Sequence, residues 1–357
     1  MKVLALNSSA RKGGQSKTEL MLSYLVKGMQ EAGADVETVH LREKTIRNCV
    51  GCFTCWTKTP GKCIHKDDMS KELYPKWLAS DLAVYATPLY HFHMNAAMKA
   101  FIERTLPVLE PFLVEGQQGT SHPLRDRHPL LVFLSVAGFP EAEIFDQLSA
   151  WVNSVYGRAG AVVAEIYRPA AETMVTRPYQ AIANDVLEAT LAAGREIVES
   201  LKISPATMAR IKQDIVEDNK ILHQMGNMFW KTCIEAGVTP KEFEQKGLVP
   251  RPDSIDTFML VLPMGFNADA ATDLNAIMQF NFSGQVEGSC HFKIKEGKIS
   301  ARDGAAQHAD ITINSPFEIW MDIMTGKADG QKLFVEQKYT VDGNLELLLK
   351  MNALFGT

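Results

Sequence analysis

The sequence predicts an α/β domain with a doubly wound, five-stranded parallel sheet, followed by an α+β domain. Three observations carry this. The 357 residues exceed what one hydrophobic core usually fills. Over about the first two hundred residues, short and almost wholly apolar runs alternate with helical patterns, as parallel strands covered on both faces do. Beyond residue 254, short alternating strands follow one another directly and helices come after them.

The first strand is expected at residues 2–7, ending abruptly in the small, polar and basic stretch from Ser8 to Thr18. An amphipathic helix follows at 19–32. Val36, Val39 and Leu41 alternate through a second strand at 34–41, and Asp67 and Asp68 favour the start of a helix at 67–79. The third strand, 82–86, runs into Thr87-Pro88 and a helix at 96–105. After an irregular, proline-bearing piece, residues 129–135 give the strongest strand signal in the chain. Gly138-Phe-Pro140 turns into a helix at 141–156, and a strand at 161–167 and a helix at 179–201 complete the domain. Ser204-Pro205 reads as a helix start placed just after another helix ends, so the domains are expected at 1–203 and 204–357. The second contains a helical pattern at 206–236 and strands at 258–262, 276–282, 288–294, 298–301 and 309–313. Ser315-Pro316 is expected to cap a helix, and 345–354 to form the last one.

Composition is that of a globular chain, with 46% apolar and 22% charged residues. A net charge of −5 excludes a nucleic-acid partner recruited by a basic field. No apolar run reaches the ~20 residues of a membrane span, and the chain enters a strand at once with no leader pattern, so a cytoplasmic, soluble protein is expected.

A buried strand that empties into a Ser/Gly loop and then a helix builds an anion site, because loop amides and the positive end of the helix dipole converge. The loop contains neither a Walker A pattern nor Gly-x-Gly-x-x-Gly. Its hydroxyls suit a mononucleotide phosphate such as that of FMN; the alternative is an ordinary surface turn. With strand order 2-1-3-4-5, the loops at 8–18, at 87–95 and after residue 135 face one crevice. Tyr90, His91 and Phe92 are placed there to line a flat ring system or simply to pack.

Four of the six cysteines, Cys49, Cys52, Cys55 and Cys63, fall within fifteen residues. Such crowding points to a metal or redox centre rather than a disulfide framework. The spacing fits an iron–sulfur cluster, four-thiolate zinc or a redox thiol pair.

Residues 1 to about 200 resemble the NADPH-dependent FMN reductase and iron–sulfur flavoprotein family of flavodoxin-like folds. The resemblance rests on Ser9-Ala-Arg11-Lys-Gly-Gly-Gln15-Ser16, on Cys49-x2-Cys52-x2-Cys55-x7-Cys63 with Asp67-Asp68-Met69, on Thr87-Pro88-Leu89-Tyr90 and on Met98-Lys99-Ala-Phe101-Ile102-Glu103-Arg104. It implies FMN with its phosphate on Ser9, Arg11, Gln15, Ser16 and Thr18 and its ring near Pro88, Leu89, Tyr90, Phe92 and Gly138. It further implies a 4Fe-4S cluster on Cys49, Cys52, Cys55 and Cys63, NAD(P)H as electron donor, and a homo-oligomer. No catalytic side chain is expected, since the cofactor carries the chemistry. Residues from about 220 to 355 resemble the sterol carrier protein type 2 domain, through Phe282-Ser-Gly284, Ser315-Pro-Phe-Glu-Ile-Trp320 and Val341-Asp-Gly343. That family surrounds an apolar tunnel, which Met259, Met264, Phe266, Met278, Phe280, Phe282, Trp320, Met321 and Met324 would line here, unless they form an ordinary core or a docking domain.

The expected function is therefore an FMN-dependent oxidoreductase delivering electrons to a small molecule or redox protein, with an appended domain for an apolar ligand or for assembly. The alternatives are a redox-sensing lipid carrier and a zinc-stabilised flavodoxin-like protein.

Overall fold

The computed structural model describes residues 1–12, 14–116 and 119–355. Gly13 of the first loop lies outside the described residues. The chain divides into two compact units, Met1–Glu217 and Asp218–Thr357.

In the first unit the elements run β1 (Lys2–Asn7), α1 (Lys17–Glu31), β2 (Asp35–His40), α2 (Tyr74–Ala79), β3 (Leu82–Tyr90), β4 (His93–Met94) and α3 (Ala96–Glu103). A small hairpin, β5 (Val114–Gly116) and β6 (Gly119–Ser121), precedes β7 (Leu130–Val136), α4 (Asp146–Val155), β8 (Val162–Arg168), α5 (Gln180–Ser200) and α6 (Pro205–Lys212). Five parallel strands are ordered β2-β1-β3-β7-β8, with β4 turned back antiparallel on the end of β3. This is the flavodoxin-like order, and the five strands are the ones expected. The inner strands β1, β3 and β7 are buried almost throughout, which is why they read as apolar runs.

Helix α1 lies against α5 at very short range, made possible by paired glycines. A Cβ on Gly28 would run into the Leu191 carbonyl oxygen, and one on Gly194 into that of Leu25. The expected boundary at Ser204 is not where the units part. Ser204 and Thr207 bind the Glu196 carboxylate, and the buried Arg168 donates to the carbonyls of Ile211 (2.9 Å) and Gln213 (2.6 Å). The segment to Glu217 thus belongs to the first unit.

The second unit contains α7 (Asn219–Ala236), α8 (Pro240–Gln245), α9 (Ile255–Met264), β9 (Ala276–Ser283), β10 (Gly288–Lys295), β11 (Lys298–Asp303), β12 (Ile311–Pro316), α10 (Phe317–Met324), α11 (Gly330–Val335), β13 (Thr340–Gly343), α12 (Leu345–Leu349) and α13 (Met351–Phe355). A five-stranded mixed sheet is ordered β11-β10-β9-β12-β13, with only β9 and β12 parallel. Two expectations are corrected. Residues 258–262 form the middle of α9, not a strand: Ser254 caps it, and Phe258, Val261 and Leu262 are buried at helical spacing. Ser315 and Pro316 extend β12 in register with Phe282 and Ser283, and α10 begins only at Phe317. Met278, Phe280, Phe282, Trp320, Met321 and Met324 all belong to one packed core, with Phe280 and Trp320 ring centroids 5.4 Å apart.

Candidate functional site

The loop after β1 is held from three sides. Asn7, fully buried, accepts the Ser9 amide on Oδ1 at 3.0 Å, and its Nδ2 reaches the His40 Nδ1 at 3.1 Å. Ser8 donates its hydroxyl to the Ala86 carbonyl on β3, and Asn95 donates to the Ser8 carbonyl at 2.7 Å while capping α3. Arg42 donates to the carbonyls of Ser9 (3.4 Å) and Arg11 (3.2 Å) and to Glu19 (2.9 Å). With its carbonyls tied back in this way, the loop leads directly into the N-terminus of α1. Ser16 is the N-cap, its oxygen accepting the Glu19 amide, so its own O–H remains available to donate.

A solvent-open cleft of about 430 Å³ lies at this end of the sheet. Of the residues expected at the site, Ser9, Arg11, Ser16, Thr18, Pro88, Leu89, Tyr90 and Gly138 line it together. Gln15 and Phe92 do not appear in its wall; Phe92 is half exposed beside it. Val136 and Ala137 also line it, in the loop after residue 135 that the sequence places at the crevice, and sequence reasoning missed Lys17, Ala171 and Glu172. The last two follow β8, and the rule that sites gather at the carboxyl ends of a parallel sheet would have found them. Glu172 bridges Arg11 (2.9 Å) and Lys17 (3.2 Å). Burial raises its pKa, and Lys17 and Arg11 outweigh that and hold it below the ordinary carboxylate value. The site therefore has two cations against one carboxylate, and its polar end favours an anion.

The rim beside Tyr90 is a two-residue hairpin joining β3 to β4, with Tyr90 paired to His93. Its central residues, His91 (φ 49°) and Phe92 (φ 60°), both lie in the left-handed region that such turns require and that glycine or asparagine usually fills. Bulky residues there are strained, a condition typical of functional rims.

The cysteine segment is a loop closed at its base. Thr45 and Arg47 donate backbone amides to Asp68 (2.7 Å) and Asp67 (2.9 Å). Beyond that closure Cys49, Cys52, Cys55 and Cys63 all line one small pocket, together with Phe53, His65, Arg104 and Pro107. Cys52 faces solvent and Cys55 is buried. Burial pushes the Cys55 thiol up, aided by the charges of Cys63, Cys49 and Cys52. Among the described residues, no three His, Cys, Asp or Glu side chains are gathered tightly enough to hold one metal ion.

Residues 1–163 match the NADPH-dependent FMN reductase family. Residues 265–356 match the SCP-2 sterol transfer family. The first domain is thus of the FMN reductase and flavoprotein type, and the second of the sterol-carrier type. An iron–sulfur flavoprotein of Archaeoglobus fulgidus is 37% identical over 121 residues, 34% of this chain and 53% of that protein. An iron–sulfur flavoprotein of Methanocaldococcus jannaschii is 29% identical over 119 residues, 33% of this chain and 59% of its own. The chain spans about half the length of the curated relatives it matches. An azoreductase from Bacillus anthracis str. Sterne is 15% identical, with a TM-score of 0.41 over 55% of this chain and 98% of that one. Among the described residues no helix is long and apolar enough to cross a membrane.

Proposed function

We propose that the chain is an FMN-dependent oxidoreductase of the iron–sulfur flavoprotein kind, taking electrons from NAD(P)H and passing them to a small molecule or redox protein. The observation that carries it is the cleft itself, which joins a cationic, hydroxyl-rich end at α1 to an apolar wall at Pro88, Leu89 and Tyr90. That is the polarity of a flavin mononucleotide read from phosphate to ring, so the residues present fit the group.

Bound there, FMN supplies two-electron acceptance from a nicotinamide and release of electrons singly or in pairs. Ser9, Ser16 and Thr18 would donate to the phosphate, with Arg11 and Lys17 supplying charge. Glu172 holds both cations at the rim. Pro88 and Tyr90 would fix the plane of the ring and exclude water from one face. The four thiols fit a 4Fe-4S cluster, which supplies one-electron transfer when present. In this reading the working protein is a cytoplasmic homo-oligomer, a neighbour covers the half-exposed Tyr90 and Phe92, and the second domain takes an apolar ligand.

Purified protein is expected to be yellow, to bleach with reduced nicotinamide under anaerobic conditions, and to quench FMN fluorescence on titration. Arg11→Ala and Ser16→Ala each remove a hydrogen bond to a charged group, about 1.5–3 kcal/mol, and are expected to weaken FMN binding about tenfold to a hundredfold. A colourless protein that takes up no added FMN overturns the reading.

A further inference from the structure

Arg104 ends α3 and is 2% exposed. A guanidinium has five N–H donors, and four of them are accounted for. Its Nη1 donates to Asp67 Oδ2 (2.7 Å) and to the Arg47 carbonyl (2.7 Å). Its Nη2 donates to Asp67 Oδ1 (3.1 Å) and to Ser70 Oγ (2.8 Å). The fifth, Nε–H, is buried with no partner. A buried donor left unmet is costly, and this one belongs to a side chain that lines the cysteine pocket. The Cys63 and Asp67 charges both act on it. His65 brings a second orphaned nitrogen, Nε2, to the same pocket.

The fork of Arg104 is thus spent on fixing its plane and pairing with Asp67, which leaves one donor of the guanidinium free beside the thiols. We propose that Arg104 is a positioning residue of the four-cysteine centre: its Nε–H serves the Cys63 sulfur as hydrogen-bond donor, and its charge favours the more negative form of the centre. Asp67 is its anchor, and the closure of the loop on Asp67 through the Arg47 amide ties the thiols to that anchor. The part concerning a bound cluster rests on the function proposed above; the contact with Cys63 does not. Net charge and hydrogen bonds to the sulfurs are what set the potential of a cluster, and both act here in the direction of easier reduction.

The test has two arms, each comparing wild type with Arg104→Gln and Arg104→Lys. In metal-free, reduced protein at pH 7, the rate of iodoacetamide alkylation is read at each cysteine by peptide mass spectrometry. Arg104→Gln is expected to slow Cys63 severalfold while leaving Cys52 unchanged. Arg104→Lys keeps the charge, loses the Nε–H and is expected to fall between; it also decides the matter should the glutamine variant fail to fold. In protein reconstituted anaerobically with iron and sulfide, the reduction potential is expected to move to more negative values in the order wild type, lysine, glutamine. Equal Cys63 rates in all three proteins overturn the proposal, as does an unchanged potential in proteins that hold equal iron. Wild-type protein that takes up no iron refutes the cluster but not the contact, which the alkylation arm then judges by itself.

Discussion

Single residues account for the local shape of both sites. Asp67 and Arg104 form an ion pair buried on both sides, and Asp67 also receives the Arg47 and Ser70 amides. Burial raises the Asp67 pKa, but Arg104 and those amides hold it well below the carboxylate range. Its native value is lower than its unfolded one, so it adds stability at every pH above about 3.9, and this is lost only as pH falls through the depressed native value. Asp67→Asn leaves a buried guanidinium half-paired and is expected to cost about 3–5 kcal/mol at neutral pH, measured by urea unfolding. The acid limb of the wild-type stability profile should shrink with it. At the hairpin rim the sign is reversed. Phe92→Gly removes a bulky residue from a left-handed backbone and is expected to raise stability by about 1 kcal/mol in thermal melts. That Ser9, Arg11, Ser16 and Thr18 line one cleft was legible, because a loop leaving a buried parallel strand opens at the carboxyl end of the sheet. Glu172 was not singled out, because only its place after β8, and nothing in the local sequence, marks a carboxylate that lies 161 residues from Arg11.

Among the elements, the parallel strands were legible and the apolar helix α9 was not. Residues 258–262 are apolar without a break, and such a run suits a buried strand or a buried helix equally. The deciding signal lay outside it, in Ser254 and Thr257, whose side chains and amides cap one another as a helix start requires. Pro316 misled for the opposite reason. Proline serves the first turn of a helix and the end of a strand alike, and pairing with β9 claims it here. The contact of α1 with α5 depends on two positions without side chains. Gly28→Ala is expected to cost more than about 1–3 kcal/mol, because backbone and not a flexible side chain stands in the way. Since Ser16 caps α1, the same change should loosen FMN, and differential scanning fluorimetry with and without FMN reads both effects.

Among the described residues each unit carries buried apolar clusters of its own, one packed on the parallel sheet and one around the phenylalanines of β9 and β10. Two thermal transitions are expected in calorimetry, and added FMN should raise only the one that belongs to Met1–Glu217. A single transition that moves as one with FMN would show that the two units unfold together. The division was visible in sequence as a change of texture, but its position was not, because Ser204-Pro205 opens a helix that packs back on α5. The four thiols also differ in access: Cys52 stands in water and Cys55 is enclosed. Hydrogen bonds from Thr54 keep the Cys52 thiol below its ordinary value, while burial keeps that of Cys55 above it. An oxidant entering from outside therefore meets Cys52 before it can reach Cys55.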